Sequence, residues 1–335
     1  MASSKTADTP GRRNSFRATL AALVLLGSPV ALAQQGVSTN KLVVSGASGQ
    51  LGGLVVEALL NDWQIPAENL ILVSRTPESL SQYAERGAAV RFGDFTEPAS
   101  LDAAYAGGDR LLLISIGGGA GDRPTLHGNA ISAAVRAGIE LIAYTSYINV
   151  DRYTDSLIGP DHRATEALLR ESGTNWTFLR NSIYANGVVD EAVTAIENGE
   201  IVTHLPNGRV SYVTREDCAA AAAAVLATDG HDNQIYNITG PDAIGPRELA
   251  SLAAEVSGHP VALVELTEAE LTARLRAAGM EDGAIQGQLG FAAELASPFV
   301  AETSSAIQDL TGRAPVSVRA LLEAESDRLI AAGRR

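Results

Sequence analysis

Lysine is almost missing from this chain: among 335 residues it occurs only as Lys5 and Lys41. A tyrosine whose pKa is lowered by a lysine four residues on, or a Schiff-base lysine, therefore has no candidate beyond residue 41. There is one cysteine, Cys218, which excludes an internal disulfide and any cysteine-based metal cluster. Lying beside a run of alanines, it reads as a small buried hydrophobe rather than a nucleophile. The histidines show no metal-ligand spacing and no G-x-S-x-G elbow is present, so metalloenzyme and hydrolase readings are poor. Positive charge is scarce as well, with 25 Lys and Arg against 39 Asp and Glu. The net charge of −14 argues against nucleic acid as a partner, because phosphate backbones call for basic patches.

Long apolar runs are also absent. The best candidate, Leu20–Leu26, is broken by Gly27-Ser28-Pro29 and falls short of the roughly 20 residues a membrane span needs. It follows Arg12, Arg13 and Arg17 and precedes Ala31-Leu32-Ala33, the order of a secretory signal peptide over residues 1–33. Arg12-Arg13 followed by Phe16-Arg17 is similar to a twin-arginine signal, with Ser15 where an aromatic is usual. That route carries folded proteins, so a cofactor could be loaded before export. The expectation is cleavage after Ala33, a periplasmic location and no stable membrane span afterwards. Losing Lys5, Arg12, Arg13, Arg17 and Asp8 leaves a mature charge of about −17. The alternatives are a general secretory signal, or a cytoplasmic protein whose start codon is mis-assigned. No feature fixes an oligomeric state.

What is present is an ordinary globular composition, 46% hydrophobic and 19% charged, enough for one large domain or a domain plus a lobe. From Lys41, apolar β-branched runs alternate with amphipathic segments. Strands are expected at residues 42–46, 69–74, 88–94, 110–115, 140–146 and 175–181, each followed or preceded by a helical pattern. Such alternation predicts an α/β fold: a doubly wound parallel sheet covered by helices, occupying residues 41–185. After Asn181 the rhythm changes. Residues 186–335 read mainly as a smaller, mixed C-terminal substrate lobe, with some segments completing the main sheet. The alanines at 219–224 read as one face of a helix beginning near Arg215, where Arg215 and Asp217 form a local charge pair serving stability.

The first strand runs into VVSGASGQLGG. Gly46, Gly49 and Gly52 make G-x-x-G-x-x-G between a strand and a helix, the Rossmann-type context for a nucleotide pyrophosphate. Ser48, Gln50 and Leu51 lie within the same turn and helix start, whose N–H groups face an anion. An acid at the end of the second strand would hydrogen-bond the ribose of NAD; here Ser74-Arg75-Thr76 stands instead. The guanidinium of Arg75 suits a ribose 2′-phosphate, so NADPH is preferred over NADH. Asp94, after the third strand, is placed to accept from the adenine amino group, with Phe95 beside the ring; both residues also fit a simple strand-end turn.

These stretches together resemble the NmrA-like, atypical short-chain dehydrogenase/reductase family. The resemblance rests on the glycine turn with Gln50-Leu51-Gly52, SRTPESL, the run to Asp94, LLLIS, IAYTS, DHRATE at 161–166, LRNSIYANG, TREDCAAAAA and YNITG. It covers Lys41 to the end and looks most like the bacterial type 2 NAD(P)H:quinone oxidoreductases, with triphenylmethane reductases as relatives. It implies hydride transfer from NADPH to a small quinone-like molecule. Two departures stand out: no Tyr-x-x-x-Lys pair exists, and Ala167 stands where relatives often carry lysine. A quinone tolerates both, since its reduction yields an aromatic hydroquinone anion and asks little of a general acid.

By family position, Ser146 and Asn181 border the nicotinamide and substrate, and Ser115, closing LLLIS, is a further cofactor contact. Tyr184 and Tyr147 could stack on a flat ring or donate to a reduced oxygen. His162 is either a polar wall near the nicotinamide, serving as a proton source near neutral pH, or a helix-capping and packing residue. His127 is read as structural. The catalytic candidates are thus Ser146, Tyr184 and His162. A dinucleotide sensor without turnover is the alternative function, and an isomerase or carbonyl reductase on the same fold a third. Export is checked by N-terminal sequencing of secreted material, which should begin at Gln34.

Overall fold

Residues 39–117 and 122–334 are described here from a computed structural model. The expected signal segment of residues 1–33 lies outside the described residues. Apolar runs, fully buried in the first two strands and half-exposed in the third at the sheet edge, open the alternating elements. They begin with β1 (Leu42–Ser45), α1 (Gln50–Asn61), β2 (Leu70–Ser74), α2 (Ser81–Glu85), β3 (Ala89–Phe92) and α3 (Pro98–Tyr105). The alternation continues through β4 (Arg110–Leu113), α4 (Arg123–Arg136), β5 (Leu141–Tyr147), α5 (Gly159–Glu171) and β6 (Asn175–Asn181). Every side chain of β1, β2, β4 and β5 is buried, as strands covered on both faces require.

After α6 (Asn186–Asn198), the short β7 (Glu200–Thr203) leaves the main sheet. The chain then returns to the sheet through α7 (Arg215–Ala227) and β8 (Gln234–Ile238). The seven-stranded order is β3-β2-β1-β4-β5-β6-β8, with every neighbouring pair parallel. The fold is thus the expected Rossmann-like α/β. The order reverses between β1 and β4, and Ser45 is level with both Val73 and Leu113, so three strand ends open at one height. Ligands bind at such a switch point.

α7 departs from expectation. Its alanines are not one face of a helix, because every residue from Asp217 to Ala227 is buried. It packs with α1 and one face of the sheet in a single apolar cluster that includes Val55, Leu59, Leu112 and Ile238. Small side chains are what let a helix be enclosed all round. Nor do Arg215 and Asp217 pair with each other. The buried Asp217 carboxylate accepts from the Val316 amide at 2.8 Å and forms an ion pair with the Arg313 guanidinium at 3.1 Å, while Thr214 caps the helix at the Asp217 amide.

Beyond β8, α8 (Pro246–Ser257) leads to β9 (Ala262–Glu265), which pairs in parallel with β7, and α9 (Glu268–Ala277) follows. The last stretch adds α10 (Asp282–Leu295), α11 (Ala306–Thr311), α12 (Val318–Ala324) and α13 (Ser326–Ala332), none of them assigned from the sequence. Val188, Ala192, Leu249, Leu322 and Leu329 knit α6, α8, α12 and α13 into a core of their own. Among the described residues no helix is long and apolar enough to cross a membrane.

Candidate cofactor and substrate site

The turn after β1 is shaped by close contacts that only glycine permits. Gly46 has φ of +90°, and the amides of Gly46 and Ala47 both donate to the Val73 carbonyl, at 3.0 and 3.1 Å. A Cβ on Gly52 would stand 2.2 Å from the Gly46 carbonyl oxygen, so α1 can approach this turn only with hydrogen there. Gly49 is the N-cap residue of α1. It offers no side-chain cap, and the first turn holds no acid. The amides at this helix start are therefore left for an anion.

Around the turn lies a cleft of about 320 Å³. Gly46, Ser48, Gly49, Arg75, Asp94, Phe95 and Ser115, all expected from the sequence to hold the cofactor, line it together. Gln50, Leu51 and Gly52 do not line it; Gln50 is exposed, whereas Leu51 is buried in the core and Gly52 has no side chain, so these last two can serve a ligand only through their backbone. Ser48 and Ser74 share a hydrogen bond of 2.7 Å, and the Ser74 hydroxyl accepts the Thr76 amide at 2.9 Å. That bracing presents Arg75 to solvent, and among the described residues its guanidinium pairs with no carboxylate. Asp94 does serve a strand-end turn, since its Oδ1 accepts from the amide and hydroxyl of Thr96, each at 2.8 Å. Its second oxygen takes no part in that turn. Ile116 and Gly117, also in the lining, were not foreseen; the only sequence signal was the glycine run after LLLIS.

The edge at β5 and β6 is built differently. Ser146 is buried and its hydroxyl donates to Glu166 Oε1 at 2.7 Å. Glu166, only 1% exposed, accepts two further bonds from Arg180, at 2.9 and 2.8 Å, and Arg180 also reaches Asp151 at 2.7 Å. The expectation of a catalytic Ser146 is corrected accordingly: its proton is committed inside the fold. Tyr147 is likewise held, donating to the buried Glu294 at 2.8 Å, so it is not free to stack on a ring.

Asn181 closes β6 and Tyr184 follows three residues on; neither lines the cleft around the glycine turn. Asn181 donates to the Tyr184 hydroxyl at 3.3 Å, while its own Oδ1 is buried with no partner among the described residues. A buried acceptor left open in this way suits a donor brought by a ligand. Burial raises the Tyr184 pKa, and the Arg215 guanidinium lies 4.9 Å from its ring centre.

His162 does not act as a proton source near neutral pH. Burial, with Arg123 and His127 nearby, lowers its pKa to about 3, and its Nδ1 is 2.9 Å from the Tyr144 hydroxyl. It is a neutral packing residue, tilted against the rings of Tyr144 and Tyr147. Cys218 is buried and its thiol pKa is raised by burial, which leaves it inert.

Residues 46–229 match the family described as NAD(P)H-binding. The chain belongs to this NAD(P)H-binding, NmrA-like family. It is 36% identical to quinone oxidoreductase 2 of Escherichia coli over 72% of this chain and 83% of that protein. The crystal structure of an NADPH-dependent quinone oxidoreductase from Escherichia coli with NADPH superposes with a TM-score of 0.77. That pair is 31% identical and covers 86% of this chain and 99% of the other. The triphenylmethane reductase of a Citrobacter species, solved with NADP(H), gives a TM-score of 0.75 at 33% identity, covering 85% and 99%.

Two outcomes follow from the buried edge. Glu166→Ala leaves the buried Arg180 with the half-exposed Asp151 as its remaining carboxylate and should cost about 3 kcal/mol, the low end for a broken buried pair, read from urea unfolding at pH 7. His127 and His162, each with a pKa lowered to about 3, stay neutral in the folded chain while the unfolded chain protonates them below about 6.5. Stability should therefore fall as pH drops below 6.5. His162→Phe should reduce by about one the protons taken up on unfolding near pH 5, measured from the pH dependence of the urea midpoint.

Proposed function

We propose that this protein is an NADPH-dependent oxidoreductase that delivers hydride to quinones or similar flat electrophiles without a Tyr–Lys pair. The observation that carries the reading is the cleft at the strand-order reversal, with Arg75, which pairs with no carboxylate among the described residues, where NADH binding would call for an acid. Kinship with a quinone oxidoreductase and a triphenylmethane reductase supports the substrate class.

When bound, NADPH supplies a hydride from its nicotinamide ring. The chain's own residues hold and orient. The α1 amides and the bare turn at Gly46 and Gly49 take the diphosphate, and Arg75 with Ser74 and Thr76 takes the 2′-phosphate. Asp94 accepts from the adenine amino group through the oxygen its turn leaves open, and Phe95 flanks the ring. Asn181 offers to a donor at the reacting end its Oδ1, which has no partner among the described residues. Tyr184, kept protonated by burial, donates a hydrogen bond to the oxygen that gains charge. No side chain at this edge needs to surrender a proton, because the hydroquinone anion takes one from water.

The test mixes purified protein with NADPH and a simple benzoquinone and follows the nicotinamide absorbance. Turnover is expected. Arg75→Ala should weaken NADPH by about 10- to 100-fold, the loss of a charge-assisted pair, and leave NADH within about threefold. Tight NADPH binding with no turnover above the uncatalysed rate would overturn the reductase reading in favour of a sensor. Equal losses for the two cofactors would remove Arg75 from the 2′-phosphate.

A further inference from the structure

Beside the cleft, the backbone at Ser115 and Ile116 is fastened by side chains from other elements. The Ser115 amide donates to Thr145 Oγ1 at 2.8 Å, and the Ile116 amide donates to His127 Nε2 at 3.2 Å. The Ile116 carbonyl accepts from Arg123 Nε at 3.1 Å. Both backbone residues belong to the cleft wall.

The partners of Thr165 decide which His127 nitrogen carries the proton. Thr165 Oγ1 donates its one proton to the Asp161 carbonyl at 2.9 Å. Toward His127 Nδ1, also 2.9 Å away, it can therefore only accept. Nδ1 must carry the hydrogen, and a neutral imidazole has only one. Nε2 is left bare, which is the condition for accepting the Ile116 amide. The ring is fully buried and, through that burial and the nearby Arg123, stays neutral far below physiological pH. Phe95 and Tyr144 pack edge-on to it, with centroids at 6.1 and 5.4 Å, and oppose its rotation.

We propose that His127 is a positioning residue of the cofactor site: held as the Nδ1–H tautomer by Thr165, it fixes the Ile116 amide and with it the cleft wall after β4. The sequence reads this histidine as merely structural; its bonds give it a defined task. The inference rests on the cleft being the NADPH site, and its first two readouts need neither cofactor nor turnover.

Nitrogen-15 NMR of the imidazole in the full-length apoprotein should show Nδ1 protonated and Nε2 bare, the reverse of the tautomer favoured by free histidine. Amide exchange at Ile116 should be slow in the parent and in His127→Gln, whose Oε1 reaches the Nε2 position. It should be fast in His127→Asn, whose amide reaches only the Nδ1 position. NADPH affinity should stay within about threefold in His127→Gln and fall about tenfold in His127→Asn, even where both lose the same melting temperature. A protonated Nε2 in the parent would overturn the proposal, and this readout survives if neither variant folds. Equal NADPH affinities in the two variants, or affinity tracking melting temperature alone, would reduce His127 to a core filler. Failure of the benzoquinone assay leaves these outcomes readable and so stays distinct.

Discussion

The buried pair between Glu166 and Arg180 is the constraint around which the reacting edge is arranged. A carboxylate only 1% exposed is tolerable when its oxygens are saturated, and Glu166 takes two bonds from Arg180 and one from Ser146. Those partners come from β6 and β5, so α5 can sit at one height against both strands. The preceding residue, Thr165, reaches the other way, to His127 and through it to the wall after β4. Two consecutive residues of one helix thus set the relative level of three strand ends. Such a pair is weak as a source of net stability against an apolar replacement; its effect is to make every other docking of α5 costly.

The same arrangement separates charge from chemistry. Arg75, with no carboxylate partner among the described residues, lies at one side of the cleft beside amides left open at the start of α1. The other end is kept free of groups that titrate near neutrality: His127 and His162 are neutral, and burial raises Tyr147 and Tyr184. A carbonyl substrate that must be protonated as it is reduced would find little help there. An acceptor that becomes aromatic on reduction needs orientation and exclusion of water more than an acid.

How far the sequence can be read follows the range of the interactions involved. The glycine turn, Arg75 and Asp94 are legible because strand-end residues in βα units announce themselves by spacing, and the clash at Gly52 is local. Ser146 and His162 misled for the opposite reason. Their partners, Glu166 and Tyr144, stand 20 and 18 residues away, and nothing in IAYTS or DHRATE says that the side chains meet inside the fold. The Asp217 carboxylate finds Arg313 and Val316 rather than its neighbour Arg215 for the same reason. Of the helices after Met280, α11, α12 and α13 are only six or seven residues long, too short for periodicity to register, and the pattern of the 14-residue α10 is interrupted by Gly283, Gly287 and Gly290.

That difference in range also separates what can vary from what cannot. The cofactor half is set by backbone approaches, and a single methyl group at Gly52 would collide with the Gly46 carbonyl. The edge at β5 depends on contacts across the chain. Glu294 of α10 accepts from Tyr147, from Ser156 and from the Leu157 amide, at 2.7 to 2.8 Å, and so holds the 148–158 segment in place. Leu157 itself is 67% exposed and Phe291, on the same helix as Glu294, 46%. Changing these apolar side chains alters surface at little cost to the core, whereas changing Glu294 would release a tyrosine, a serine and a backbone amide at once.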